Sequence, residues 1–184
     1  AGTTTQLMWG ARSDVGCVRP HNEDSYLVQS PLFCVCDGMG GHAAGEVASS
    51  IAVETIAKTA PQSADAARLA AAVEAANAAV IEAALNGLGK PGMGCTATCA
   101  YIENDTLAIA HVGDSRAYLL HEGTLIRVTR DHSYVEELVD AGEITADEAR
   151  VHPNRSVITR ALGSDPAMYA DHFTLHIEEG DRLI

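Results

Sequence analysis

The sequence predicts an α+β fold in which short strands, two helices and a strand meander follow one another. Helical periodicity covers about residues 45–58 and 64–85, and Pro61 separates the two segments. The remaining apolar stretches are short, and turns containing Gly or Asn separate them. This order lacks the regular strand–helix alternation of a doubly wound sheet, so it favours antiparallel hairpins covered by helices.

In the first half of the chain, residues 1–6 are polar and are predicted to be loose. Residues 7–184 are predicted to form a single domain, as this length suits one core. Strands are expected at 7–14 and 26–29, and a buried strand at 32–36 ends at Asp37-Gly38. Each helix has one apolar stripe, which comprises Ala48, Ala52 and Ile56 in the first and Leu69, Val73, Ala76, Val80 and Ala84 in the second.

The second half is predicted to be mostly strands. These are expected at 95–102, 106–112, 116–120, 125–129 and 172–177, with a further strand starting at Arg182. A short helix is expected at 133–141. Another begins at Thr145, because Thr145 and Glu148 have the spacing of a capping box.

Charge and hydropathy exclude several classes of function. Twelve Lys and Arg against 25 Asp and Glu give a net charge of −13, which leaves little room for the basic face of a nucleic-acid binder. Binding to an anionic membrane surface is disfavoured for the same reason. No apolar run approaches the ~18–20 residues that span a bilayer, so no membrane segment is predicted.

The five cysteines are predicted to be reduced thiols of the core. Cys34 and Cys36 lie in an apolar run, and Cys95 and Cys99 flank Thr-Ala-Thr. Neither pair has the spacing of a zinc site. Reduced thiols favour a cytoplasmic location.

Three acidic motifs fall where predicted strands end or turn. The first contains Arg19, Glu23 and Asp24, the second runs from Asp37-Gly38 to His42, and the third is Gly-Asp-Ser-Arg around Asp114. Carboxylate and carbonyl oxygens are hard ligands that suit Mg²⁺ or Mn²⁺. Taken singly, each motif also fits an ordinary turn or a surface ion pair.

Taken together and in this order, the motifs resemble a known family. Arg-x-x-Asn-Glu-Asp at 19–24, Val-Cys-Asp-Gly-Met-Gly-Gly-His at 35–42 and Gly-Asp-Ser-Arg at 113–116 are similar to those of the metal-dependent protein phosphatases (PPM, the type-2C serine/threonine phosphatases) in their bacterial form. Gly-Cys-Thr-Ala-Thr at 94–98 and Asp-His-Ser at 131–133 agree with that layout.

The resemblance implies a four-layer α-β-β-α sandwich of two antiparallel sheets, with a mobile flap at about 131–156. It also implies two Mn²⁺ or Mg²⁺ ions and a third that is held more loosely. The metal ligands would be Asp37, the Gly38 carbonyl and Glu23, with Asp114 for the third ion. The catalytic residues would be Arg19 on the phosphate, Asp24 orienting water and His42 as a proton donor.

The implied activity is hydrolysis of phosphoserine and phosphothreonine in proteins, without a covalent phospho-enzyme. Phosphorylated proteins would be the substrates, and the enzyme would antagonise a serine/threonine kinase in a signalling pathway. A cysteine-dependent phosphatase mechanism is disfavoured because the chain has no Cys-x₅-Arg sequence.

The family pattern continues beyond Ile184, with further strands, a helix and two ligand aspartates. The chain is therefore expected to be C-terminally truncated, weak or inactive, and able to dimerise through an unfinished sheet edge. Two rival functions stay open. One is a non-catalytic phosphatase-like module that binds a partner, and the other is a different metal hydrolase.

Overall fold

The computed structural model describes residues 7–11, 22–41 and 43–184. The described part contains nine strands and four helices. In chain order they are β1 (Asp24–Gln29), β2 (Leu32–Met39), α1 (Ala44–Thr59), α2 (Ala66–Leu85), β3 (Gly94–Cys95), β4 (Ala97–Glu103), β5 (Thr106–Val112), β6 (Tyr118–His121), β7 (Thr124–Arg127), α3 (Tyr134–Asp140), α4 (Ala146–Val151), β8 (Asp171–His176) and β9 (Arg182–Leu183).

The strands form two antiparallel sheets, which confirms the predicted architecture. The larger sheet has the order β1-β2-β4-β5-β8, and β3 extends the pairing of β2. The smaller sheet has the order β7-β6-β9. Neighbouring strands are mostly consecutive in the chain, as expected for a meander. The last two strands are the exception: β8 joins the larger sheet and β9 joins the smaller one.

The two long helices lie on one face of the larger sheet. α1 packs on β1 and β2, whereas α2 packs on β5 and β8. The predicted stripe of α1 is buried, since Ala48, Ala52 and Ile56 are fully buried. In α2 the prediction is confirmed from Leu69 to Val80, but Ala83 is buried in place of Ala84. The small alanine side chains allow the helices to approach the sheet closely. Asp65 caps α2 by accepting a hydrogen bond from the Arg68 N–H at 3.1 Å.

The opposite face of the larger sheet carries a second apolar cluster. Its buried members are Ala100, Leu107 and Ile109. Phe173 of β8 and Leu183 of β9 pack against them, so the smaller sheet contacts this face. The larger sheet is thus covered on both sides, which explains why β5 is buried along almost its whole length.

The cysteine prediction is confirmed for the described residues. Cys34, Cys36, Cys95 and Cys99 are buried free thiols between the central strands. The hydrogen bond with the Cys36 thiol and burial raise the pKa of the Cys95 thiol, so this thiol is protonated and unreactive at neutral pH. In the part of the chain that the structure describes, no helix has the length and hydropathy of a membrane span.

Several predicted strands differ from the structure. The strand expected to end at Asp37-Gly38 continues through both residues to Met39, and the strand expected at 125–129 ends at Arg127. Residues 7–11 form no strand, and the rest of the strand expected at 7–14 lies outside the described residues. The strand expected at 116–120 begins only at Tyr118. Arg116 is held instead by the Asp131 carboxylate, with its Nη2 at 2.7 Å from Oδ2. The Ala117 N–H donates to Thr129 Oγ1 at 3.0 Å, so a side chain takes the place of a ladder partner.

The short helices start where the sequence predicted. The Ser133 side chain caps α3, and Thr145 and Glu148 form the complete capping box of α4. Both helices lie within 131–156, the segment expected to be the flap.

Candidate metal centre

The first two strands bring the acidic residues of two motifs together. Asp24 of β1 is the direct partner of Asp37 on β2 in the antiparallel register. Residues that face each other in this way project to the same side of the sheet, with Cβ atoms ~4.5–5.5 Å apart. Two carboxylates therefore share one face at the end of the hairpin.

Glu23 is tied to the same place through its backbone. Its carbonyl oxygen accepts hydrogen bonds from the Gly38 N–H at 3.1 Å and from Ser49 Oγ of α1 at 2.7 Å. Its side-chain Oε1 is buried and has no hydrogen-bond partner among the described residues. A buried carboxylate oxygen without a donor is costly unless a cation satisfies it. This atom is the clearest structural sign of a metal site.

Gly38 and Gly45 are required by close packing around these groups. A Cβ on Gly38 would lie 2.1 Å from the Gly45 carbonyl oxygen and 2.4 Å from that of Glu23. A Cβ on Gly45 would lie 2.8 Å from Glu23 Oε1. The start of α1 therefore fits against the Asp37-Gly38 segment of β2 only because both glycine positions lack a side chain.

Thr96 connects Asp37 to the third motif. The Asp37 N–H donates to Thr96 Oγ1 at 3.1 Å, and the Thr96 N–H donates to the Asp37 carbonyl oxygen at 2.9 Å. The same hydroxyl lies 2.8 Å from Ser115 Oγ, in the loop that carries Asp114. Thr96 thus holds Asp37 on β2 and the loop that carries Asp114 in a common arrangement.

Asp114 lies in a partly desolvated environment. Burial raises the pKa of its carboxyl group, and the nearby Asp131 carboxylate adds to the effect, whereas Arg116 opposes it. The ionised form of Asp114 is therefore poorly stabilised by the protein alone. A bound cation would favour that form.

A histidine that the sequence analysis did not single out supports the Asp114 loop. His132 Nδ1 accepts a hydrogen bond from the Gly113 N–H at 2.9 Å, and Nε2 donates to Asp171 Oδ2 at 2.7 Å. Burial lowers the pKa of His132, which keeps the ring neutral in this tautomer. Asp171 is held in turn by Arg160 at 2.8 Å. The sequence feature that could have identified His132 was the Asp-His-Ser motif at 131–133.

His111 is a core residue and not a metal ligand. It is fully buried, and both ring nitrogens are engaged, with Thr98 Oγ1 at 2.9 Å and with the Arg130 carbonyl at 3.0 Å. Burial, followed by the neighbouring His132, lowers its pKa to about 4.

The structure thus assembles part of the predicted site. Glu23, Asp24, Asp37 and Gly38 adjoin one another, and Asp114 is linked to them through the Thr96 and Ser115 hydroxyls. Within the described ranges, no three carboxylates of this group bring ligand atoms within 4.8 Å of one another. The two remaining predicted residues, Arg19 and His42, lie outside the described residues. The donors present are hard oxygens, which suit Mn²⁺ or Mg²⁺.

Comparison with known proteins identifies the family of the chain. The family model "Protein phosphatase 2C" matches residues 11–165. The serine/threonine protein phosphatase PstP of Mycobacterium tuberculosis is 44% identical over 165 residues, which are 88% of this chain. The chain spans about a third of that protein's length (32%).

Solved structures show the same fold. The crystal structure of the Mycobacterium tuberculosis phosphatase PstP/Ppp superposes with a TM-score of 0.87 at 41% identity, covering 94% of this chain and 74% of that one. A structure of the PstP catalytic domain in complex with two manganese ions gives a TM-score of 0.83 at 39% identity, covering 94% and 73%. From its motifs, its two antiparallel sheets and these matches, the chain belongs to the protein phosphatase 2C family.

Proposed function

We propose that the chain forms the catalytic region of a protein phosphatase that hydrolyses phosphoserine and phosphothreonine with the help of Mn²⁺ or Mg²⁺. The observation that carries this proposal is the buried Oε1 of Glu23, which has no hydrogen-bond partner among the described residues. The Glu23 carbonyl oxygen accepts a hydrogen bond from the Gly38 N–H, so Glu23 lies beside the Asp37-Gly38 segment of β2. The name of the relative, a serine/threonine protein phosphatase, and its structure with two manganese ions support the same reading.

The proposed ligand roles rest on the resemblance to the family, and the arrangement of the acidic residues supports them. Asp37, the Gly38 carbonyl and Glu23 would hold the principal ions, and Asp114 would hold a third ion more loosely. Asp24 shares a face with Asp37 and would orient a water molecule by accepting its hydrogen bond. Bound divalent cations supply Lewis-acid activation of that water and of the phosphoryl oxygens.

Two further roles rest on the sequence match. The planar guanidinium of Arg19 suits bidentate binding of a phosphate. His42 would donate a proton to the leaving alcohol. The binding of phosphate by Arg19 does not require the arginine to take part in the chemical step.

The proposed domain is a single unit at 7–184, and it contains the proposed flap at 131–156. The start of the flap contacts the Asp114 loop of the candidate metal centre. The His132 backbone N–H donates to the Gly113 carbonyl oxygen at 2.8 Å, and the Gly113 N–H donates to Nδ1 of the His132 ring. A substrate that contacts α3 or α4 would therefore also lie near the Asp114 loop. We place the phosphorylated protein on this side.

The proposed partners are phosphorylated proteins and a serine/threonine kinase whose signalling the enzyme would reverse. A cytoplasmic location would bring the enzyme and these substrates together. The reduced thiols in the core are compatible with that location.

Replacing Asp37 tests the proposal. In a protein that carries the complete domain, Asp37→Asn should reduce Mn²⁺-dependent hydrolysis of p-nitrophenyl phosphate and of a phosphothreonine peptide by about a hundredfold or more, because a shared ligand is worth several kcal/mol. Asp105→Asn is the matched control, since Asp105 lies in the exposed β4–β5 turn. Retention of more than about a tenth of the activity by Asp37→Asn would contradict the assignment.

A further inference from the structure

A cluster of potential metal ligands lies on the smaller sheet, away from the centre described above. It consists of His121 at the end of β6, Glu122 in the β6–β7 turn and Glu178 in the turn before β9. One ligand atom from each residue, the His121 Nε2 and one carboxylate oxygen from each glutamate, falls within 4.8 Å of the other two. Asp114 precedes β6 and His121 ends it, so the two sites lie at opposite ends of this segment.

Asp181 orients the imidazole towards the glutamates. Its Oδ1 lies 2.6 Å from His121 Nδ1, and its Oδ2 accepts a hydrogen bond from the Glu178 N–H at 2.8 Å. Only 8% of the Asp181 side chain is exposed, so this support is packed in place. With Nδ1 engaged, Nε2 is left to face the two carboxylates. A carboxylate that holds the second nitrogen in this way is the usual support of a metal-binding histidine.

The separations fit ligands of one ion better than hydrogen bonds. His121 Nε2 lies 3.7 Å from Glu122 Oε2 and 3.8 Å from Glu178 Oε2, beyond hydrogen-bond range. Bond lengths of about 2.0–2.2 Å at tetrahedral angles place neighbouring ligand atoms roughly 3.3–3.5 Å apart. Glu122 and Glu178 are exposed and can make this small adjustment.

The charge of the cluster also favours a cation. Three carboxylates surround a single imidazole, and within the described ranges no Lys or Arg forms an ion pair with Glu122, Glu178 or Asp181. Imidazole and carboxylate together suit zinc and related transition ions, whereas Mg²⁺ prefers oxygen ligands alone.

We propose that His121, Glu122 and Glu178 bind a divalent transition cation, with Zn²⁺ preferred, and that Asp181 positions the imidazole. Water completes the coordination, because three protein ligands leave one tetrahedral position open. The ion joins the β6–β7 turn to the turn before β9 and so holds the smaller sheet together. Its role is structural and is independent of phosphate hydrolysis.

Calorimetric titration with Zn²⁺ at pH 7.5 tests this site after removal of metals with EDTA. The Asp37→Asn variant is used as the parent protein, so that binding at the other centre is weakened. One Zn²⁺ per chain is expected. His121→Gln and Glu178→Gln should each weaken binding at least tenfold, as loss of a ligand costs more than loss of a supporting residue.

His172→Gln is the matched control, because His172 is an exposed histidine of β8 outside the cluster. It should leave Zn²⁺ affinity unchanged. Circular dichroism checks that each variant is folded. If His121→Gln fails to fold, Glu178→Gln decides the outcome, because the Glu178 side chain is exposed and its replacement should not disturb the fold. Absence of Zn²⁺ binding to the parent would overturn the proposal, and so would binding that both cluster variants retain.

Discussion

Replacing Gly38 by alanine probes how tightly the Asp37-Gly38 segment of β2 is packed against α1. The added Cβ would lie 2.1 Å from the Gly45 carbonyl oxygen and 2.4 Å from that of Glu23, whereas ordinary contacts begin at 3.4 Å. Both neighbours are backbone atoms, so two chain segments must retreat by about 1 Å. The movement also weakens the hydrogen bond from the Gly38 N–H to Glu23.

We expect Gly38→Ala to lower the free energy of unfolding by about 2–4 kcal/mol, from overpacking of ~1–3 kcal/mol and a weakened hydrogen bond of ~1 kcal/mol. Urea denaturation of the metal-free protein measures this loss. Calorimetry should also show weaker Mn²⁺ binding, because the displaced segments carry Glu23 and Asp37.

Gly10→Ala is the control for this prediction. No heavy atom lies within 4 Å of its added Cβ, so a change within about 0.5 kcal/mol is expected. If Gly38→Ala unfolded within 1 kcal/mol of the parent protein and bound Mn²⁺ equally well, the packing argument would be refuted.

Four other outcomes are expected. In a protein that carries the complete domain, Arg19→Ala should raise KM for a phosphopeptide about tenfold and leave kcat nearly constant in steady-state kinetics, because the arginine binds ground and transition states alike. Asp114→Asn should raise the Tm of the metal-free protein at pH 7, because burial raises the pKa of the Asp114 carboxyl group and its ionised form destabilises the folded state. The gain in Tm should vanish at a pH low enough to protonate Asp114. Thr96→Val should cost about 2 kcal/mol in urea denaturation, as it leaves the Asp37 N–H unsatisfied. The pKa of His111 is about 4 in the folded protein and ~6.5 in the unfolded chain, so protonation of this ring favours unfolding. The free energy of unfolding should therefore be independent of His111 protonation above pH 6.5 and fall by up to about 3 kcal/mol towards pH 4. His111→Gln should remove this pH dependence when denaturation is measured at a series of pH values.

Local patterns were sufficient for much of the fold. The alanine-rich stripes of α1 and α2 predicted the buried faces, because helical periodicity depends on neighbours three and four residues away. The capping box at Thr145 was predicted for the same reason, since all its contacts lie within one turn. The start of β6 was missed because Arg116 binds Asp131, a partner 15 residues away.

The acidic motifs also identified Glu23, Asp37, Gly38 and Asp114 as candidates, since each motif carries its chemistry in adjacent residues. Their arrangement required the tertiary structure. The sheet register sets Asp24 opposite Asp37, and the Asp37 N–H donates to the hydroxyl of Thr96, which lies 59 positions further along the chain. The same applies to His121 and Asp181, which are separated by 60 positions and meet only because β9 pairs with β6. Sequence determined which side chains are available, whereas strand pairing decided which of them touch, because contacts between distant residues depend on register and not on local propensity.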